Sequence, residues 1–171
     1  MAPSIDDLLR AAAGARKHAW APYSGFAVGA AVLAGGRVFT GCNVENSAYP
    51  LCVCAERNAI AAAVVAGNKR IEAIAIVGGA TKPSAPCGGC RQVLAEFCAE
   101  DAEVVYASTV GKSVTTTVGA LLPASFGASD LKESEEAGAA ESTRSSRGPS
   151  GKRRSAPRPR GTRSSGPRRS R

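Results

Sequence analysis

Apolar residues at helical spacing open the chain. Ile5, Leu8, Leu9 and Ala12 share one face, and Ser4 with Asp7 three residues later has the form of a capping box with Asp in place of Glu or Gln. This pattern predicts a first helix reaching about residue 18. Two short β-type runs, 26–33 and 37–40, then flank Ala34-Gly35-Gly36, the turn chemistry of a hairpin. Residues 55–66 are alanine-rich and helical, and Gly67-Asn68 stops them. Residues 71–77 form an apolar run of buried-strand type that ends at Gly78-Gly79. Over 91–98, Val93, Leu94, Phe97 and Cys98 fall on one helical face, and 104–107 and 114–117 read as two further strands. The order α-β-β-α-β-α-β-β predicts an α/β layered domain whose helices cover a central sheet.

Composition divides the chain. Up to Leu131, ten Lys/Arg cancel ten Asp/Glu; beyond it, twelve Lys/Arg face four Glu, so the whole net charge of +8 sits in the last forty residues. The high pI therefore describes the appendage and carries no information about the substrate of the core. From Ser142 to Arg171 the chain is Arg, Ser, Gly and Pro with almost no apolar side chain, a composition that cannot bury enough surface to offset its ordering entropy. The expected organisation is a catalytic domain over 1–131 and a disordered basic tail over 132–171. Eleven Lys/Arg without an acidic or aromatic residue between Arg144 and Arg171 predict weak, salt-sensitive polyanion binding with no base preference. No basic stretch precedes an apolar core at the N-terminus, and no apolar run approaches the roughly 18 residues of a membrane span, so neither a signal peptide nor a membrane segment is expected. Six cysteines in such a chain predict a reducing, cytoplasmic setting and metal binding over disulfides.

Two pieces carry chemistry: Cys54-Ala55-Glu56-Arg57 and Pro86-Cys87-Gly88-Gly89-Cys90-Arg91-Gln92. Each begins where a loop turns into a helix, and a helix N-terminus favours thiolates. Cys87 and Cys90 have the CxxC spacing of two zinc ligands, and Cys54 can supply a third sulfur. Three protein ligands leave the fourth position to water, the pattern of catalytic zinc; a structural site would want a fourth Cys or His. A lone CxxC is often a structural half-site or a redox pair, and it is the CAE triplet some thirty residues upstream that tips the reading to catalysis. Glu56 can sit beside the metal without ligating it and act as proton shuttle. Arg57 can offset the negative charge of three thiolates from behind the ligands. The other candidates fit poorly. His18, the only histidine, closes the first helix; Cys42 and Cys98 read as small buried residues; Cys52, two before Cys54, is the hardest to dismiss, and the sequence leaves open whether it touches the site.

At this point the chain resembles the homotetrameric zinc-dependent cytidine deaminase family along nearly all of residues 5–127. The resemblance rests on Ala21-Pro22-Tyr23-Ser24-Gly25-Phe26-Ala27-Val28-Gly29-Ala30-Ala31, Gly41-Cys42-Asn43-Val44-Glu45-Asn46, Tyr49, the CAER and PCGGCRQ segments, and Leu121-Leu122-Pro123 with Phe126. It implies a three-layer α-β-α domain around a mixed, five-stranded sheet, and one Zn2+ per chain held by Cys54, Cys87 and Cys90. It implies that Phe26 packs against the pyrimidine, that Asn43 and Glu45 bond the ribose hydroxyls, and that the backbone around Ala55 holds the base. Tyr49 and Phe126 would serve a neighbouring subunit's site in a tetramer. The implied reaction is hydrolytic: a water activated by the metal attacks C4 after Glu56 takes its proton, releasing ammonia and uridine or deoxyuridine in pyrimidine salvage. Two rival readings keep the zinc chemistry, a blasticidin-S-type deaminase and a nucleic-acid-directed one. The Asn43-Val44-Glu45-Asn46 segment speaks against the first, and Cys54, where nucleic-acid deaminases typically carry His, against the second. A nucleic-acid-binding protein with an idle deaminase domain is the third rival, opposed by the intact Glu56 and ligand set.

Overall fold

The computed structural model describes residues 2–132; the expected disordered basic tail, but for Lys132, lies outside the described residues. Five strands form one sheet in the order β2-β1-β3-β4-β5. They are β1 (Gly29–Ala34), β2 (Arg37–Cys42), β3 (Ile71–Val77), β4 (Cys98–Ala107) and β5 (Ser113–Thr117). Only β3 and β4 pair in parallel; the remaining neighbours are antiparallel, so the sheet is mixed. Helix α1 (Ile5–Arg16) covers one face and α2 (Ala55–Val65), α3 (Gly88–Phe97) and the short α4 (Val118–Leu121) the other, giving three layers.

Strand alternation divides the core. Ala30, Val32, Ile74, Ile76 and Val104 point toward α2 and α3, whereas Ala31, Ala75, Val77 and Ala107 meet Leu8 and Ala12 of α1. Small side chains on the second face let α1 lie close to the sheet. At Gly29 even a Cβ would collide with the carbonyl of Ala12 and the backbone of Arg16. The same device sets α2, whose first turn rests directly on Gly41 of β2.

Local chemistry explains the element ends. The Ser4 hydroxyl accepts from the Asp7 amide at 3.3 Å while Asp7 Oδ2 accepts from the Ser4 amide at 2.8 Å, so Asp at N3 completes the capping box. Gly35 and Gly36, both at positive φ, form the two-residue hairpin turn between β1 and β2. The expected boundaries differ most around β1 and α3. The first strand begins at Gly29, not residue 26, because Phe26 and Val28 bond the side chain of Asn43 instead of a neighbouring strand. The third helix starts at Gly88, three residues before the expected start, since Cys87 is its N-cap and both glycines join its first turn. Cys98 is not on that helix: it takes extended dihedrals and begins β4, with an irregular register until Glu103 pairs regularly with β3. The 3-10 turn Tyr49–Leu51 and α4 were not expected. Among the described residues no helix is long and apolar enough to cross a membrane.

Candidate active site

Cys54 and Cys87 are the N-caps of α2 and α3, and neither helix start has a side-chain cap bond. Both thiols are therefore free of capping duty, and two helix N-termini converge on one point with their positive ends toward it. Cys90, in the first turn of α3, is fully buried beneath them. The three sulfurs lie within 4.8 Å of one another, the one metal-competent cluster among the described residues. Tetrahedral zinc with Zn–S near 2.3 Å sets its sulfurs about 3.8 Å apart. Cys54 and Cys87 Sγ are 3.8 Å apart, so spacing and donor chemistry both fit one zinc per chain.

The sulfurs hold their protons unevenly. A hydrogen bond from Cys90, helped by Cys87 and the Arg57 guanidinium against the opposing effect of burial, draws the Cys54 thiol down to about 5. Cys90, the donor in that pair and itself buried, is pushed up. Arg57 donates to the Cys52 carbonyl at 2.8 Å and lies 4.0 Å from Cys54 Sγ, so it braces the loop and brings a cation against the cluster. Behind α3, Arg91 donates to the Pro86 carbonyl at 2.9 Å and to the Leu121 carbonyl at 3.2 Å, fixing the approach to Cys87.

Glu56 follows Cys54 by two residues and is only 5% exposed, one of two polar side chains in the buried set. Burial first, and then the negative charge of Cys54, raise its carboxyl above the ordinary range. It faces a cavity of about 360 Å³ that Phe26, Asn43, Glu45, Ala55 and Cys87 also line. Residues 43–45 are held there from both sides. Trp20 and Val53 bond their backbone at 2.8–3.0 Å, which sets the two sugar-side candidates beside the Cys54 loop. Asn43 accepts from the Val28 amide at 2.8 Å and donates to the Phe26 carbonyl at 2.9 Å, so it also shapes the arm carrying Phe26.

Tyr49 and Phe126 are not brought to this cavity. They are 68% and 61% exposed; Tyr49 packs edge-on against Tyr23, and Gln92 anchors the Phe126 carbonyl at 2.7 Å. The sequence left open whether Cys52 touches the site; it lines the cavity wall, with Sγ accepting from the Asn46 amide at 3.3 Å and standing outside the three-sulfur cluster. Ser24, Ser84 and Ala85 also line the cavity without having been singled out. Of these, only Ser24 carried a signal, as part of the PYSGF segment. Cys42 donates to the His18 carbonyl at 3.4 Å, and burial pushes the Cys98 thiol up to about 12.

The family model for the cytidine and deoxycytidylate deaminase zinc-binding region matches residues 3–108, a span holding all three cysteines and Glu56. A cytidine deaminase of Sporosarcina psychrophila is 44% identical over 133 residues, covering 77% of this chain and 98% of that protein. The crystal structure of cytidine deaminase from Burkholderia pseudomallei superposes with a TM-score of 0.70 at 47% identity, over 72% of this chain and 100% of that one. The Mycobacterium tuberculosis cytidine deaminase structure gives 0.63 at 41% identity, over 73% of this chain and 98% of that one. Matches of this length and identity, on a chain whose metal cluster and buried carboxylate fall inside the shared region, make it a member of the cytidine and deoxycytidylate deaminase family.

Proposed function

We propose that this protein is a zinc-dependent enzyme that hydrolytically deaminates cytidine and deoxycytidine to uridine and deoxyuridine, releasing ammonia. The observation that carries the reading is the buried Glu56 carboxylate, facing the cavity beside the three sulfurs but not among them. A zinc ion held by Cys54, Cys87 and Cys90 would supply the Lewis acidity that makes a water nucleophilic near neutral pH. Glu56 takes the proton of that water, delivers it to N3 of the pyrimidine, and then assists the departing amine. Phe26 packs on the pyrimidine, the backbone around Ala55 holds its polar edge, and Asn43 and Glu45 receive the sugar hydroxyls. Arg57 tempers the charge of the thiolates.

A free nucleoside is the substrate. Among the described residues no Lys, Arg or His lines the cavity, so they offer a phosphate no counter-charge. The lining speaks against a nucleic-acid strand, and the cytidine deaminases this chain is similar to do not favour the blasticidin-S-type reading. The exposed Tyr49 and Phe126 support a homotetramer in which each completes a neighbour's site, with residues 1–131 as the catalytic domain. The tail, 132–171, acts as a separate polyanion-binding appendage, and the enzyme serves pyrimidine salvage in the cytoplasm. Ammonia release from cytidine, deoxycytidine, blasticidin S and single-stranded DNA tests the substrate class. Turnover of the first two alone is expected; turnover confined to either of the others would overturn it.

A further inference from the structure

The cavity wall holds a hydrogen-bonded unit in which one member, Ser24, has no role above. Both oxygens of the Glu45 carboxylate are already engaged from one loop: Oε2 accepts the amides of Tyr23 at 2.8 Å and Ser24 at 3.2 Å, and Oε1 accepts the Ser24 hydroxyl at 2.5 Å. The Ser24 oxygen in turn accepts the Phe26 amide at 3.0 Å. Gly25, at a φ of 66°, turns the chain back so that this amide can reach it. A hydroxyl has one proton. An ionised carboxylate can only accept, so that proton is directed at Glu45 while a lone pair of the oxygen receives the Phe26 N–H. Ser24, Phe26 and Glu45 all line the same cavity.

We propose that Ser24 is a positioning residue that sets the specificity for the sugar: it fixes the Glu45 carboxylate in one orientation, leaving the free lone pair of Oε1 for a hydroxyl of a bound nucleoside. The inference rests on the reading of Glu45 as a sugar ligand. A flexible Glu side chain on an exposed wall would otherwise lose rotamer freedom each time a nucleoside bound. Holding it beforehand removes that cost and keeps its acceptor sites aimed. The bond from Ser24 is also the largest of the influences that keep Glu45 below the ordinary carboxylate range. Ser24 acts on the substrate through Glu45. The signature of that role is a loss specific to substrates that carry sugar hydroxyls.

The test uses the zinc-loaded full chain and two substrates, cytidine and 2′,3′-dideoxycytidine, which keeps the base and lacks both ring hydroxyls. The readout is the ratio of their kcat/KM values, in which any general loosening of the Phe26 arm cancels. Ser24→Ala is expected to lower the ratio about tenfold, the low end for a hydrogen bond to an ionised group, mainly through KM for cytidine. Glu45→Gln is expected to lower it at least as much, and Ser24→Ala in the Glu45→Gln background to lower it no further. An unchanged ratio in Ser24→Ala, with Glu45→Gln reducing it, would overturn the proposal while leaving Glu45 as sugar ligand. An unchanged ratio in Glu45→Gln would overturn the sugar-ligand reading and the proposal with it. A further drop in the double variant would show Ser24 acting on the sugar by itself, which also overturns positioning through Glu45.

Discussion

The position of α2 over β2 allows a prediction worked from the geometry of a single hydrogen atom. A Cβ added at Gly41 would meet the Ala59 amide nitrogen, the Ala55 carbonyl oxygen at 2.5 Å and the Asn58 carbonyl carbon at 2.9 Å. Ordinary contact begins near 3.4 Å, so Gly41→Ala must lift the first turn of α2 by about 0.9 Å. All three obstructing atoms are backbone, and no rotamer change can relieve them. Overpacking of this kind costs about 1–3 kcal/mol, and a domain of this size loses about 4 °C of Tm per kcal/mol. The displaced turn carries Cys54 and Glu56, and a shift near 1 Å in reacting groups costs on the order of 10²-fold in rate. Gly14→Ala is the matched control: that glycine lies in α1 with nothing within 4 Å of the added atom, so the change is expected to stabilise the helix by up to about 1 kcal/mol without altering rate. Thermal unfolding, zinc content and kcat/KM for cytidine measured on both variants decide the matter. Gly41→Ala with native Tm and native kcat/KM would refute the claim that this contact sets the catalytic turn.

Three further outcomes are expected. Arg57→Ala keeps the fold but loses about 10–100-fold in zinc affinity or activity; zinc content and the pH–rate profile measured together check it, and no movement in either leaves Arg57 a bracing role only. Burial raises Cys98 to about 12 from an ordinary 9, so the folded state disfavours its ionisation. Its contribution to stability is whole below pH 9 and is lost as pH rises toward 12, and Cys98→Ala should show a shallower alkaline loss of Tm than the parent. A chain ending at Leu131 should retain kcat/KM for cytidine and lose salt-sensitive RNA binding, measured at low and moderate salt.

Much of the architecture was legible because burial follows the period of the chain. Residues 71–77 read as a buried strand and are one, and Gly35-Gly36 dictated a two-residue turn. Where the reading failed, tertiary partners overrode local signals. The apolar face over 91–98 marks the third helix only from Arg91, yet Cys87 caps a helix that already contains Gly88 and Gly89. The β-type run from residue 26 gives way to an irregular arm because a side chain, Asn43, takes the backbone bonds a strand would use. For the site, CAER and CxxC are local spacings on two helix starts, which made the metal cluster readable. Ser24 and Cys52 reach the cavity only because residues 43–45 pair with Trp20 on one side and Val53 on the other, a long-range arrangement without periodic trace.

The central claim is that Glu56 moves protons beside a zinc it does not hold. Glu56→Gln keeps the size and the cavity but removes the acid–base function. The decisive measurement is zinc content together with ammonia release from cytidine by this variant. The expected result is one zinc per chain with turnover reduced by at least about 10²–10⁴-fold. A zinc-loaded variant that turns over cytidine at the parent rate would contradict the account.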